Sequence, residues 1–259
     1  MLRSGIEPLY ARYLQWQVKH VPRHVAVIQD GNRRYAREQG LDTSIGHRLG
    51  ADATEQVLDW AGELGVQHIT LYTFSTENFR RESTELDSLF LLFREKFAAI
   101  LKDKRVHRNR IRVQMIGDRS LLPDDLLAAI DAAEEATRDY NNHFINIALA
   151  YGGRNEIVHA ARSILDEVEQ GAIDPASIDP ATVEDHLNRG APIPPVDLII
   201  RTGNDCRTSN FLPWLANGHE SAVYFCAPYW PAFRKIDFLR AMRVYDQRMR
   251  LKERAARRV

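Results

Sequence analysis

The chain has 259 residues, 44% of them apolar, with 35 basic and 35 acidic side chains. That length supports one large α/β domain with a real core, and the balanced charge excludes a global polyanion-binding surface. The cysteines are Cys206 and Cys226 alone, so no disulfide framework is implied. No apolar run nears membrane-spanning length and the N-terminus shows no signal-peptide core, so a cytoplasmic protein, membrane-associated at most through its surface, is expected.

Residues 25–28 are short, apolar and mostly β-branched, as in a buried strand. The strand stops at Asp30-Gly31-Asn32-Arg33-Arg34. Residues 46–64 read as a helix halted at Gly65, 68–75 as a strand, and 83–104 as a long helix with Ser83 and Glu85 as start signals. Residues 110–117 form a third strand, followed by a helix at 123–140 that opens with Pro-Asp-Asp. A fourth strand at 144–152 leads into a helix at 155–170. Loops around a short helix at 180–188 precede strands at 196–201 and 222–226. The chain closes in a basic helix at 234–257, within a segment (234–259) holding ten Lys/Arg against three Asp/Glu. Strands alternating with helices predict an α/β fold: a single domain over 1–259 with a six-stranded, mainly parallel sheet flanked by helices.

In such a sheet the strand ends share one edge, where ligands bind. Four of them carry arginine with glycine, hydroxyl or amide residues: 30–34, 75–81 (Ser75-Thr76-Glu77-Asn78-Phe79-Arg80-Arg81), 151–156 and 201–210. One arginine after a strand is ordinary surface. Crowded arginines repel one another unless an anion lies between them, so the set predicts a polyanionic ligand, such as two diphosphates. Asp30 suits either a salt bridge or a Mg²⁺ ion, which takes one or two carboxylates plus phosphate oxygens; Glu77, Asp205 and Glu220 are candidate second acids. No His/Cys cluster has zinc spacing. The apolar residues of 86–101 (Leu86, Leu89, Phe90, Leu91, Leu92, Phe93, Phe97, Ile100) cover more than one helical stripe. They fit a core or dimer helix, or the wall of an apolar tunnel. The basic tail reads first as a solvated helix and second as a contact for anionic lipid; no nucleic-acid motif accompanies it.

Five ordered segments resemble the cis-prenyltransferases, the family of undecaprenyl and dehydrodolichyl diphosphate synthases. They are HVAVIQDGNRRYA from residue 24, FSTENFRR at 74–81, AYGGRNEIV at 150–158, DLIIRTG at 197–203 and RTSNFLPW at 207–214, joined by Gly46-His47. The likeness spans about residues 24–240. It implies Mg²⁺-dependent sequential addition of isopentenyl diphosphate to an allylic diphosphate of farnesyl or geranylgeranyl type. The product would be a Z-polyprenyl diphosphate, a precursor of a lipid glycosyl carrier, made by a homodimer.

By this resemblance Asp30 holds Mg²⁺ and assists departure of the allylic diphosphate. Gly31, Asn32, Arg33 and Arg34 cradle that diphosphate at a helix N-terminus, supported by Arg81, with His47 and Ser75 nearby. Asn78 serves proton removal by orienting the substrate or a phosphate oxygen that does the work, since an amide is a poor base. Arg201, Arg207, Thr208 and Ser209 bind isopentenyl diphosphate. Tyr35 and Phe79 pack the prenyl chain, and Thr76 and Glu77 complete the substrate-binding set. Each added isoprene unit brings five carbons, worth on the order of 4 kcal/mol if fully buried, so the 86–101 helix is expected to wall a tunnel.

Two departures stand out. Thr43 replaces an arginine usual in bacterial members. The family's second metal-binding glutamate aligns within 222–225, which holds no acid, leaving Glu220 as the nearest substitute. A trans-prenyltransferase is disfavoured because Asp124-Asp125 is followed by Leu126 and Leu127, not by a DDxxD pattern. A haloacid-dehalogenase-type phosphatase is disfavoured by Asn32. A non-catalytic accessory subunit is the remaining alternative, weighed against the retained Asp30, Asn78, Arg201 and Arg207.

Overall fold

The apolar run after Arg23 forms the central strand β1 (His24–Ile28), buried at every position. Around it stand β2 (His68–Tyr72), β3 (Ile111–Ile116), β4 (His143–Ala148), β5 (Leu198–Arg201) and β6 (Ala222–Phe225). The computed structural model describes residues 3–187, 192–216 and 221–257. Among these, the strands make one sheet in the order β3-β4-β2-β1-β5-β6, and every pairing is parallel.

The helices, in chain order, are α1 (Arg3–Gln17), α2 (Asn32–Glu38), α3 (Thr43–Leu64), α4 (Ser83–Ile100), α5 (Lys104–Arg108), α6 (Asp124–Thr137), α7 (Gly153–Glu169), α8 (Pro180–His186) and α9 (Lys235–Ala256). Alternating residues divide the sheet between two layers. Val25, Val27, Ile69, Leu71 and Ile200 pack against Val57 and Ala61 of α3 and Phe238 and Met242 of α9. Ala26, Ile28, Tyr72 and Ile199 face Ala160 of α7 and Phe211 and Leu212 of the loop after β5. Val113 lies with α4 and α6, whose Leu89, Phe93, Leu126 and Ile130 share its cluster.

From β1 the chain moves to β2 on one side; from β5 it moves to β6 on the other. The crevice between the carboxyl ends of β1 and β5 is therefore the topological switch point, where ligands of open α/β sheets bind. The register sets Ile28 beside Arg201, which brings Asp30 and Arg201 to that crevice.

A buried polar chain crosses the sheet below it. Gln114 Nε2 donates to Asn146 Oδ1 at 2.8 Å, and Asn146 Nδ2 to Thr70 Oγ1 at 2.9 Å. The Thr70 hydroxyl meets His24 Nε2 at 2.7 Å, and His24 Nδ1 meets the Pro194 carbonyl at 2.7 Å. Each donor finds an acceptor only if His24 is neutral with its proton on Nδ1. Burial pushes the His24 pKa down to about 4, in agreement with that assignment.

Several predicted elements change. The helix at 83–104 breaks after Ile100, because Asp103 caps Arg105 N–H and starts α5 afresh. The strands at 68–75 and 144–152 end at Tyr72 and Ala148, continuing only as an isolated parallel bridge between Ser75 and Tyr151. Helix α1 carries Pro8 and has no sequence counterpart in the predicted elements; it is held by Leu14, buried against Ile236 and Leu239. The basic terminal helix is not a solvated helix throughout: Ile236, Phe238, Leu239, Ala241 and Met242 of α9 are core residues. Residue 188 of the predicted short helix, and Glu220, lie outside the described residues.

Candidate active site

The switch-point crevice is organised by Arg201, a buried guanidinium. Its Nη2 donates to Asp30 Oδ2 at 2.8 Å and to Asp205 Oδ2 at 2.9 Å. Its Nη1 donates to Ser209 Oγ and to the Arg207 carbonyl, both at 2.6 Å. Arg207 Nη2 reaches Asp205 Oδ2 at 3.0 Å from an exposed position. The loop is bent to make these contacts: Asn204, Ser209, Asn210 and Leu212 all have positive φ, which costs a non-glycine residue on the order of 1–3 kcal/mol. Asn210 anchors the loop to α7, accepting from Gly153 N–H through its carbonyl and from Arg154 N–H through Oδ1, both at 2.9 Å.

Asp30 is fixed from both sides. Its Oδ1 accepts from Arg34 Nη2 at 2.9 Å. Its backbone N–H donates to Thr202 Oγ1 at 3.0 Å, and Thr202 Oγ1 donates to its carbonyl at 2.7 Å. Gly31 has φ +113 and Gly203 φ +83; a Cβ on Gly31 would lie 2.6 Å from Tyr229 Cδ1 and 2.9 Å from Tyr229 Cβ. Glycine is required there by conformation and by space.

A second cationic group stands at the end of β2. Glu85 Oε1 accepts from Arg81 Nη1 at 3.0 Å and from His47 Nε2 at 3.1 Å, with Arg33 Nε at 3.6 Å. Burial holds the His47 pKa below its ordinary value; the Glu85 bond opposes this, and Arg81 and Arg33 add to it. Sequence reasoning took Glu85 only as a helix start. Its signal was the short Arg81-Glu85 spacing: Arg81 is extended just before α4 and Glu85 lies in its first turn, so the two side chains meet at the helix start.

Asn78 Oδ1 accepts from Ser75 N–H at 3.1 Å. The amide oxygen is thus committed to the turn, and the Nδ2 group is the end that can donate to a ligand. Glu77 is held below its ordinary pKa: burial raises it, but hydrogen bonds from its own backbone N–H, Ser75, Asn210 and Thr76 outweigh that.

These groups ring one end of a cavity of about 1360 Å³. Asp30, Gly31, Asn32, Arg33, Arg34, His47, Ser75, Glu77, Asn78, Arg81, Arg201, Arg207 and Ser209 line it. Beyond them its walls turn apolar, with Leu89, Leu92, Phe93, Phe97 and Ile100 of α4 facing Ile69, Leu71, Val113, Ile145 and Ile147 of the sheet. Leu91 instead is exposed. Four predicted site residues sit elsewhere. Tyr35 lines a separate depression with Glu38 and Tyr229. Phe79 packs edge-on against Phe74 at 4.9 Å. Thr76 and Thr208 are not among the lining residues.

Asp30 and Asp205 place oxygens on one nitrogen of Arg201, and both side chains are partly open to solvent. Hard carboxylate donors beside a phosphate-sized cationic crevice fit Mg²⁺, which keeps waters and phosphate oxygens in its shell. Among the described residues no three His, Cys, Asp or Glu converge into an all-protein cage; such a cage is not what Mg²⁺ ordinarily uses.

The Prenyltransf family model, described as undecaprenyl diphosphate synthase, matches residues 28–253. The chain belongs to the cis-prenyltransferase family. As such it is a prenyl-transferring enzyme. It is 51% identical over 247 residues to the tritrans,polycis-undecaprenyl-diphosphate synthase (geranylgeranyl-diphosphate specific) of Halobacterium salinarum, covering 95% of this chain and 82% of that one. The enzyme of the same name from Methanocaldococcus jannaschii is 47% identical, with 95% and 89% covered. Among solved structures, lavandulyl diphosphate synthase from Lavandula x intermedia, in complex with dimethylallyl diphosphate, superposes with a TM-score of 0.81 at 34% identity over 87% of this chain and 95% of that one. A probable undecaprenyl diphosphate synthase from Campylobacter jejuni gives 0.69 at 27% identity, with the same coverage.

Proposed function

We propose that this cis-prenyltransferase is a Mg²⁺-dependent (Z)-polyprenyl diphosphate synthase that extends geranylgeranyl diphosphate by repeated addition of isopentenyl diphosphate. The product is a long polyprenyl diphosphate of the kind used to build lipid glycosyl carriers. One observation carries the reading: the buried Arg201 bridges Asp30 to Ser209 and the Arg207 backbone, at the polar mouth of a cavity that α4 and the sheet line with apolar side chains. That arrangement suits two diphosphate heads side by side with one hydrocarbon tail. The names of the archaeal relatives support a geranylgeranyl primer.

In this reading Arg33, Arg34 and Arg81 hold the allylic diphosphate at the start of α2, and Arg201, Arg207 and Ser209 hold the isopentenyl diphosphate. Asp30, with Asp205 alongside, would hold Mg²⁺, which would supply charge neutralisation for the departing diphosphate. The allylic C–O bond breaks with its electron pair leaving on diphosphate. The isopentenyl double bond attacks the freed carbon, and a proton is then lost to form the Z double bond. Asn78 Nδ2 orients the phosphate oxygen that takes this proton, since the amide oxygen is already bonded to Ser75 N–H. The cavity excludes water from the cationic carbon and takes up the growing chain. The enzyme acts as a homodimer. Incubation with Mg²⁺, labelled isopentenyl diphosphate and primers of increasing length, followed by chromatography of dephosphorylated products, tests the assignment.

A further inference from the structure

Helix α1 buries one face and leaves the other bare. Leu14 is fully buried against α9, with Tyr10 and Ala11 beside it. On the opposite face Leu9, Tyr13 and Trp16 are 66%, 51% and 69% exposed. Their spacing of four and three residues aligns them in one row, and Arg12 falls within the same row. Lys19 Nζ lies 5.0 Å from the Trp16 ring centre.

The end of α9 lies alongside, tied on by Arg250 Nη2 donating to the Gln17 carbonyl at 2.9 Å. It is exposed from residue 250 onward, with Leu251 set among Arg250, Lys252, Arg254 and Arg257. The acid in that stretch, Glu253, is bonded to His20 Nε2 at 3.0 Å. An aliphatic and aromatic row is thus rimmed by cations. Tyrosine and tryptophan favour the level of lipid headgroups, and lysine and arginine bind anionic ones.

Position gives this face a purpose. Leu64, at the end of α3, packs against the cluster that Leu14 of α1 makes with Ile236 and Leu239 of α9, and its neighbours Gly62, Glu63 and Val66 line the cavity away from the phosphate-binding mouth. We propose that the outer face of α1, with the end of α9, docks on an anionic phospholipid bilayer. Docking sets this end of the cavity, remote from the phosphate-binding mouth, beside the membrane that receives the hydrocarbon product. The delivery role rests on the synthase reading; the docking itself does not.

The test is flotation of the purified full chain with vesicles of phosphatidylcholine, with or without phosphatidylglycerol. Binding to the anionic vesicles should exceed binding to neutral ones by at least about tenfold and fall as salt rises. The double variant Leu9→Glu/Trp16→Glu should lose at least about tenfold, and Arg12→Glu alone about fivefold. Circular dichroism checks that each variant is folded. Equal vesicle binding by the double variant overturns the proposal, as does wild-type protein indifferent to anionic lipid. Light scattering without vesicles supplies a third outcome: a lower oligomeric state in the double variant gives the face to a second copy and overturns lipid docking. Condensation is assayed separately in detergent. Inactive protein that still binds vesicles sinks the synthase reading and leaves docking intact; active protein that ignores them does the reverse.

Discussion

Arg201 holds Asp30 by a 2.8 Å hydrogen bond between Nη2 and Oδ2, across the junction of two parallel strands whose loops diverge. The pair joins the two halves of the site. In the proposed reading, Asp30 belongs to the loop that meets one diphosphate, and Arg201 supports the loop that meets the other. A buried guanidinium with four oxygen partners also fixes the strained 203–212 backbone, so binding and folding share this residue.

Asp30→Ala should leave the fold intact, because Asp30 is partly exposed and its backbone bonds to Thr202 survive. Turnover should fall by roughly a thousandfold or more, the scale of losing a principal electrostatic group. Steady-state condensation of labelled isopentenyl diphosphate, with circular dichroism as control, decides this. Near-normal turnover would remove Asp30 from the chemistry.

Arg201→Lys retains the charge but loses the fork that serves Asp30, Asp205 and Ser209 together. The KM for isopentenyl diphosphate should rise at least about tenfold, more than the KM for the primer. Because Asp30 and Asp205 lose a buried partner, the melting temperature should also drop. Equal changes in both KM values would place Arg201 outside the isopentenyl site.

Glu85 occupies the space between Arg33, Arg81 and His47 that an allylic diphosphate would share. Glu85→Gln keeps an oxygen acceptor for Arg81 while removing the competing charge. We expect the primer KM to fall about two- to fivefold, matching the ~0.5–1 kcal/mol typical of partly exposed ion pairs. A rise would show that the carboxylate positions Arg81 more than it competes.

Stability should weaken on mild acidification. His24 and His68 are each held at about 4, chiefly by burial. Their native forms are neutral, whereas the unfolded chain protonates them near pH 6.5, so unfolding takes up protons. Stability is therefore full above about pH 6.5 and declines toward pH 4, by roughly 3 kcal/mol for His24 at 1.36 kcal/mol per pH unit. Denaturant melts of the wild type and of His24→Asn across this window read the effect. A slope unaltered by the substitution would exclude His24 as its source.

Much of this was readable in the chain. The strands at 24–28 and 198–201 declare themselves because buried parallel strands are apolar throughout, and their charged ends mark the carboxyl edge. Helix α1 was hidden, because its Leu9, Tyr13 and Trp16 row faces outward, not into a core, and Pro8 interrupts the pattern. The role of Glu85 was hidden for another reason. It depends on His47, 38 positions earlier, and on Arg33, which only the packing of α2, α3 and α4 brings together. The joint placement of Asp205 and Asp30 likewise required the register of β1 and β5.

The cavity should limit product size. Leu92→Trp projects added bulk into it from α4 and should shorten the products without raising the primer KM by more than a few fold. Reversed-phase chromatography of the dephosphorylated products reads both length and distribution. An unchanged distribution would mean the hydrocarbon runs elsewhere.

The most direct measurement gives the wild-type protein Mg²⁺, labelled isopentenyl diphosphate and, in turn, dimethylallyl, geranyl, farnesyl and geranylgeranyl diphosphates. A ladder of Z-polyprenyl products, formed fastest from geranylgeranyl diphosphate and abolished by chelation, is the expected result. Failure to incorporate label from any primer would contradict the proposed synthase, and single additions without further elongation would contradict the role given to the cavity.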